Sequence, residues 1–283
     1  MRCSQDEKQN PVLDEEIVKL LVSLHTQYRD RLREIMQLED GNAVTGYNAK
    51  GDRQRGFDVL IDEWMRDWLT RHGADGVFLS EELDDVEFGA PGAGYCFVVD
   101  PVDGSDNFAR GLPLAALSIA VLPRSAPLAP ETVAHALVGD VVERTPIVAS
   151  RGVGAYQGGH RLKTSGVRNL RDALVSFELN HWNPGRALAE ALHACAGVRA
   201  YGCASRAMCL VASGALDAHV DVRRRLTPES FLAASLVVIE AGGEVVQLDG
   251  SSLGPFGGLR DRTTLIAAAT GALVKDISDA IIV

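Results

Sequence analysis

The sequence predicts an α+β fold over residues 1–163 and a more regular α/β arrangement over residues 164–283, and three observations carry that reading. Apolar residues recur at helical spacing through the N-terminal quarter of the chain. Short apolar runs separated by glycine- and proline-bearing turns then take over. Beyond Thr164, runs of strand length alternate with helical stretches, as strand–helix–strand units require.

Taken in order, Ile17, Leu20, Leu21, Leu24, Tyr28, Leu32 and Ile35 fall on one face with charges between them, which predicts a long amphipathic helix from Pro11 onward. Residues 40–55 (DGNAVTGYNAKGDRQR) are polar and glycine-bearing and predict a loop or loose hairpin. A second helix follows, with Leu60, Ile61, Trp64, Met65, Trp68 and Leu69 on one face, where plain core packing accounts for them. Strands are expected at 77–79, 96–99, 117–122 and 134–141, then a glycine-punctuated hairpin over 151–162. The second part alternates strands at 174–177, 218–222, 244–247 and 264–267 with helices at 184–195, 205–212, 228–241 and 271–283. Thr227 before Pro228 reads as an N-cap with a first-turn proline, and Gly242-Gly243 as a stop.

Composition narrows the classes of function. A net charge of −10 argues against nucleic acid or an anionic membrane as the main partner, and an acidic protein that binds phosphate needs a cation to do so. Cys3, Cys96, Cys195, Cys203 and Cys209 form no CxxC pair, so neither a disulfide framework nor a zinc site is suggested, and reduced thiols in a cytoplasmic protein are expected. The polar start MRCSQDEKQN lacks the apolar core of a signal peptide, and no apolar run approaches transmembrane length. The histidines show no HxxxH or HExxH spacing, and no P-loop or GxSxG element occurs. The glycines of 151–159 do not sit between a strand and a long helix, which favours a hairpin over a dinucleotide loop.

The chemistry-bearing stretch is Phe97-Val-Val-Asp-Pro-Val-Asp-Gly-Ser-Asp-Asn-Phe108. An apolar strand is expected to end at Asp100, stopped by Pro101, with a helix starting at Ser105. That places the carboxylates of Asp100 and Asp103 at a strand mouth beside helix N-terminal amides, which suit phosphate, and hard oxygen ligands of this kind suit Mg²⁺. A bare DxxDG is more often a solvated turn. Glu81 and Glu82, after another expected strand, and Asp58, opening the second helix, shift the balance because their carboxylates can converge on the same edge.

Asp100-Pro-Val-Asp-Gly-Ser-Asp-Asn-Phe108 resembles the signature of the inositol monophosphatase superfamily, and Ser80-Glu-Glu82 resembles its G/S-E-E element. Gly152-Val-Gly-Ala-Tyr156 with Gly159 and Leu162, Asp217-Ala-His-Val-Asp221-Val-Arg223, and Glu240-Ala-Gly-Gly243 are similar to its later elements. The wording around Lys50-Gly-Asp52, Ser80-Glu-Glu82 and Asp221-Val-Arg223 is most similar to the archaeal-type branch that handles inositol monophosphate and fructose 1,6-bisphosphate. The resemblance implies a layered αβαβα sandwich of the inositol monophosphatase and fructose-1,6-bisphosphatase type, with an antiparallel sheet in the first part, a smaller sheet in the second and the site between them. It implies Mg²⁺-dependent hydrolysis of a small phosphorylated polyol or sugar, without a covalent intermediate, by a homodimer. Inositol monophosphate is the first expectation for substrate; fructose 1,6-bisphosphate, a nucleotide 3′-phosphate and a specialised sugar phosphate stay open.

Residue by residue, the resemblance implies that Glu81, Asp100, Asp103 and the carbonyl of Val102 hold two or more Mg²⁺ ions. Glu82, through Ser105, would orient the attacking water, and Asp58 would assist a further ion or water. The amides of Gly104 and Ser105 would receive phosphate; Gly202, Cys203 and Ala204 would contact substrate hydroxyls, as would Asp221. Arg223 would either face an anionic substrate or belong to a solvated run with Arg224 and Arg225.

One position departs from the pattern. Ten residues before Glu240, where the family carries a metal-ligating aspartate, stands Ser230. A serine is a neutral, weak Mg²⁺ ligand, so one metal site should be weakened. Three readings follow: Glu229 substitutes through a distorted first helical turn, the enzyme works with fewer metals or an unusual substrate, or the chain is a catalytically impaired ligand-binding homologue.

Overall fold

The computed structural model describes residues 15–48, 51, 53–180 and 186–282. Lys50 and Asp52 lie outside the described residues, as do the expected helix positions before residue 15, the expected start of the 184–195 helix and Val283.

The first helix, α1 (Glu16–Met36), buries Leu21, Leu24, Tyr28, Leu32 and Ile35 on the expected face. The 40–55 segment is the loose hairpin β1 (Val44–Tyr47) and β2 (Arg53–Arg55), antiparallel with a register shift. It runs straight into α2 (Gly56–Arg71). An eight-stranded sheet follows, built from β3 (Gly76–Ser80), β4 (Val86–Phe88), β5 (Tyr95–Asp103), β6 (Ala116–Pro123), β7 (His135–Asp140), β8 (Ile147–Ser150), β9 (Gly154–Gln157) and β10 (His160–Arg161). Between β5 and β6 lies the short helix α3 (Ser105–Ala109). The strand order is β10-β9-β8-β7-β6-β5-β3-β4.

The second part contributes β11 (Leu174–Phe177), α4 (Arg186–Ala194), β12 (Gly197–Arg199), α5 (Ala204–Ala212), β13 (Ala218–Leu226), α6 (Pro228–Glu240), β14 (Glu244–Val246), β15 (Thr263–Ala268) and α7 (Gly271–Ile282). Its five-stranded sheet has the order β12-β11-β13-β15-β14 and is mixed, with β11 parallel to β12 and β13.

Strand alternation explains the layers. Phe97, Val99, Leu117, Ile119 and Val148 point to one face of the large sheet and pack with α1 and α2. Their neighbours Cys96, Val98, Ala116, Ala120 and Ala149 point to the other face, against α5 and α6. The same cluster takes in Leu226, Leu265 and Ala267 of the small sheet, whose opposite face (Phe177, Val220, Ile266, Ala268) is covered by α4 and α7. The order helices, sheet, helices, sheet, helices is the layered αβαβα sandwich. Because α6 lies between two sheets, it is buried from Pro228 to Val238, including positions that a one-sided helix would leave polar. No helix among the described residues is long and apolar enough to cross a membrane.

Four expectations are corrected. The large sheet is not wholly antiparallel: β3 and β5 pair in parallel, because the chain turns back through the edge strand β4 before entering β5. Pro101 does not end its strand; β5 runs on to Asp103, with a register shift between Asp100 and Asp103 that accommodates the missing N–H. Strands β4, β8 and β12, each of three or four residues, were too short to stand out in the pattern. Thr227 does occupy the N-cap of α6 with Pro228 in the first turn, but its side chain makes no capping bond and its hydroxyl bonds instead to the carboxylate of Glu229.

Candidate active site

The site is built where β3 and β5 end side by side. Their parallel register sets Ser80 opposite Val99, so Glu81 leaves β3 alongside Asp100. The irregular end of β5 keeps Asp100 and Asp103 both buried, with Val102 between them. Tyr28 of α1 donates its phenol to the carbonyl of Pro101 at 2.7 Å, holding the irregular segment from beneath.

Gly104 then turns the chain in the left-handed region at φ 82°. A Cβ there would lie 2.7 Å from the carbonyl oxygen of Leu114 and 3.1 Å from Cβ of Cys203, so only glycine fits. Asn107, two positions into the helix after Ser105, ties the loop across the molecule. Its amide donates to the carbonyls of Leu114 at 2.9 Å and Tyr201 at 2.7 Å. In this way the Gly202-Cys203-Ala204 segment is brought against the Gly104 turn.

Asp103 reaches the start of α5. Its Oδ2 accepts from the Ser205 amide at 2.7 Å, the Ser205 hydroxyl at 2.6 Å and the Cys203 thiol at 3.2 Å. The Ser205 amide is one of the donors a helix leaves unpaired at its N-terminus, so a carboxylate from β5 caps α5 from outside. Burial raises the Asp103 carboxyl above its ordinary range, the Ser205 hydrogen bonds oppose that rise, and the charge of Glu81 adds to it. Burial likewise pushes the Cys203 thiol well up, with Asp103 adding to the shift, so Cys203 is held as a protonated donor.

Asp58, in the first turn of α2, accepts from the Arg55 amide at 2.9 Å and is buried. Burial pushes its carboxyl up to about 7, the Arg55 amide opposes the rise, and the charge of Glu81 contributes to it. The β1–β2 hairpin supplies two partners that sequence reasoning missed. Asn48 donates to Glu81 Oε2 at 3.3 Å, and Gln54 donates to both Oε2 and the carbonyl oxygen of Glu82 at 2.9 Å. Polar residues in a glycine-bearing hairpin carry no periodic signal, so only their position in space reveals them.

Ser230 and Glu229 resolve into different surroundings. The Ser230 hydroxyl donates to Asp100 Oδ2 at 3.3 Å, which places it at the carboxylate cluster. Glu229, one helical step away, is buried against Thr227, and its carbonyl accepts from Ser118 at 3.2 Å. Glu229 thus makes its contacts with Thr227 and Ser118, while Ser230 makes its contact with Asp100. Asp221 and Arg223 face each other: Arg223 Nη2 meets Asp221 Oδ2 at 2.7 Å and Arg223 Nη1 donates to the Asn180 carbonyl at 3.0 Å. Asn180 also neighbours Gly202, so the pair borders the Gly202–Ala204 segment.

The donors gathered from Asp58, Glu81, Asp100 and Asp103 are all carboxylate oxygens, the set that suits a hard divalent cation. The carboxyls of Asp58 and Asp103 are held above their ordinary range chiefly by burial. Among the described residues no three acidic, histidine or cysteine side chains stand close enough to form a ready-made metal site. The residues fit such an ion in the chemistry of their donors, with Ser230 contributing a hydroxyl where a charge was expected.

This fold and its acidic site define a phosphoric monoester hydrolase. The chain matches the model of the inositol monophosphatase family over residues 13–281 and belongs to that family. A histidinol-phosphatase of Mycobacterium tuberculosis is 36% identical over 261 residues, 87% of this chain and 92% of that one. A fructose-1,6-bisphosphatase/inositol-1-monophosphatase of Thermococcus kodakarensis is 27% identical over 92% of this chain and 95% of its own, in line with the archaeal-type wording of the motifs. Among solved structures, an inositol monophosphatase–fructose 1,6-bisphosphatase superposes with a TM-score of 0.80 at 23% identity, covering 94% of this chain and 100% of that chain.

Proposed function

We propose that the chain is a Mg²⁺-dependent phosphomonoesterase acting on a small phosphorylated polyol or sugar, with inositol monophosphate the first substrate to test. The observation that carries this reading is the burial of Asp100 and Asp103 at the irregular end of β5, with Glu81 and Asp58 beside them. Glu81, Asp100, Asp103 and the Val102 carbonyl would hold Mg²⁺. When bound, the cation would supply charge to offset that on the phosphoryl oxygens and would lower the proton affinity of water. Glu82, held by Gln54, would take the proton of the attacking water. The amides at the Gly104 turn would receive the phosphate, and the Gly202–Ala204 segment with Asp221 would bind hydroxyls of the leaving group. Arg223, engaged with Asp221, would position that carboxylate rather than meet substrate itself. Residues 1–163 would provide the metal side of the site and residues 164–283 the substrate side, in a cytoplasmic homodimer.

Ser230 supports a second reading, a ligand-binding homologue with impaired chemistry. Phosphate release from inositol monophosphate, fructose 1,6-bisphosphate, a nucleotide 3′-phosphate and histidinol phosphate separates the two; the last is included because of the histidinol-phosphatase relative. Turnover of one substrate by the wild-type protein supports the enzyme. A silent wild type that gains activity in Ser230→Asp supports the impaired homologue.

A further inference from the structure

We propose that Ser205 and Cys203 are positioning residues for Asp103, locking one of its oxygens so that the other alone is presented to the cation. The inference rests on the metal-dependent reading above and adds residues that stand outside the set of metal ligands. Three donors converge on a single atom: the Ser205 amide at 2.7 Å, the Ser205 hydroxyl at 2.6 Å and the Cys203 thiol at 3.2 Å all meet Oδ2 of Asp103. The opposite oxygen, Oδ1, appears in none of these contacts.

Both side chains are built in rather than incidental. Ser205 is fully buried and Cys203 is 1% exposed, on a helix start that is held against the Gly104 turn by Asn107. The Ser205 hydroxyl also lies 3.9 Å from the Cys203 sulfur, but its 2.6 Å bond to Oδ2, beside the fixed backbone amide of the same residue, sets the carboxylate plane. A carboxylate whose Oδ2 carries three donors binds a cation through Oδ1 alone and does not swing to chelate it with both oxygens. Asp100 shows a weaker form of the same device, with Ser230 donating to its Oδ2 at 3.3 Å. The locked orientation lowers the ordering required when an ion enters, which matters most where a neighbouring ligand is a neutral serine.

The test is Mn²⁺ binding followed by electron paramagnetic resonance on the substrate-free protein, with Mg²⁺-dependent turnover alongside. Ser205→Ala should weaken Mn²⁺ binding by about tenfold, in the range seen when outer partners of metal ligands are removed. Its turnover at saturating Mg²⁺ should stay within about twofold, with the loss confined to the Mg²⁺ concentration needed for half activity. Cys203→Ala should weaken binding less, and Cys203→Ser, which keeps a donor at the same place, should restore it. Mn²⁺ affinity unchanged in a folded Ser205→Ala or Cys203→Ala protein, beside a wild type that binds Mn²⁺, would overturn the positioning role and leave the metal reading standing. A wild type that binds no Mn²⁺ would overturn the metal reading and this inference together. If Ser205→Ala does not fold, the Cys203 pair decides the matter: equal affinity in Cys203→Ala and Cys203→Ser refutes the proposal.

Discussion

Replacing Ser230 by aspartate should destabilise the protein without Mg²⁺ and leave it nearly unchanged with Mg²⁺. The serine hydroxyl stands 3.3 Å from Asp100 Oδ2, and Ser230 and Asp100 are both buried. A carboxylate at 230 would exchange a hydrogen-bond donor for a second negative charge within about 4 Å. At an effective dielectric of about 20, two such charges repel by roughly 4 kcal/mol. Either carboxyl can escape part of this by taking up a proton, so about half should be realised near neutral pH. At about 2–4 °C per kcal/mol for a chain of this size, the melting temperature should fall by roughly 4–8 °C in EDTA. A divalent cation between the two carboxylates reverses the sign of the interaction, so millimolar Mg²⁺ should bring Ser230→Asp within about 2 °C of wild type, by mass action on the folded state. Thermal melts of both proteins in EDTA and in Mg²⁺ measure this directly. An equal decrement in the two conditions, or none in EDTA, would refute the placement of Ser230 at a cation site.

Other perturbations reach different parts of the account. Tyr28→Phe removes the phenol that holds the Pro101 carbonyl and should cost about 1–3 kcal/mol of stability in urea unfolding. Gln54→Ala should lower kcat by about tenfold with KM little changed, because Glu82 loses a side-chain donor that helps to orient it. His25 is buried beneath Gly139 and its imidazole is held down to about 4, chiefly by burial. With the folded value below the ordinary 6.5, its contribution is complete above pH 6.5 and is lost as pH falls toward 4. Across that interval wild type should lose up to about 3 kcal/mol relative to His25→Gln, at about 1.4 kcal/mol per pH unit, checked by urea melts at each pH.

The layers were legible where the pattern was long or strongly alternating. The face of α1 carrying Leu21, Leu24 and Tyr28 repeats for five turns, and Phe97 and Val99 against Cys96 and Val98 mark the two faces of β5. The short edge strand β4 was not legible, and with it went the parallel pairing of β3 with β5. Pro101 read as a strand end because local chemistry says so; the register shift that admits it is a property of the pairing with β6. The carboxylates of the site were legible because Asp100-Pro-Val-Asp103-Gly104 is a dense local motif. Their partners were not, since Gln54, Asn48 and Ser205 lie far from that motif in sequence and meet it only through the fold. Ser230 was visible by counting from Glu240, whereas the separation of its surroundings from those of Glu229 needed the helix in place.

The central claim, hydrolysis at a cation held by Asp100, Asp103 and Glu81, is met most directly by measuring phosphate release from inositol monophosphate as Mg²⁺ is titrated into chelator-treated protein, for wild type and Asp103→Asn. Turnover should be absent without Mg²⁺, rise with its concentration in wild type, and be lower by about a thousandfold in Asp103→Asn at every concentration. Turnover that persists in chelator, or that survives in Asp103→Asn, would contradict the account.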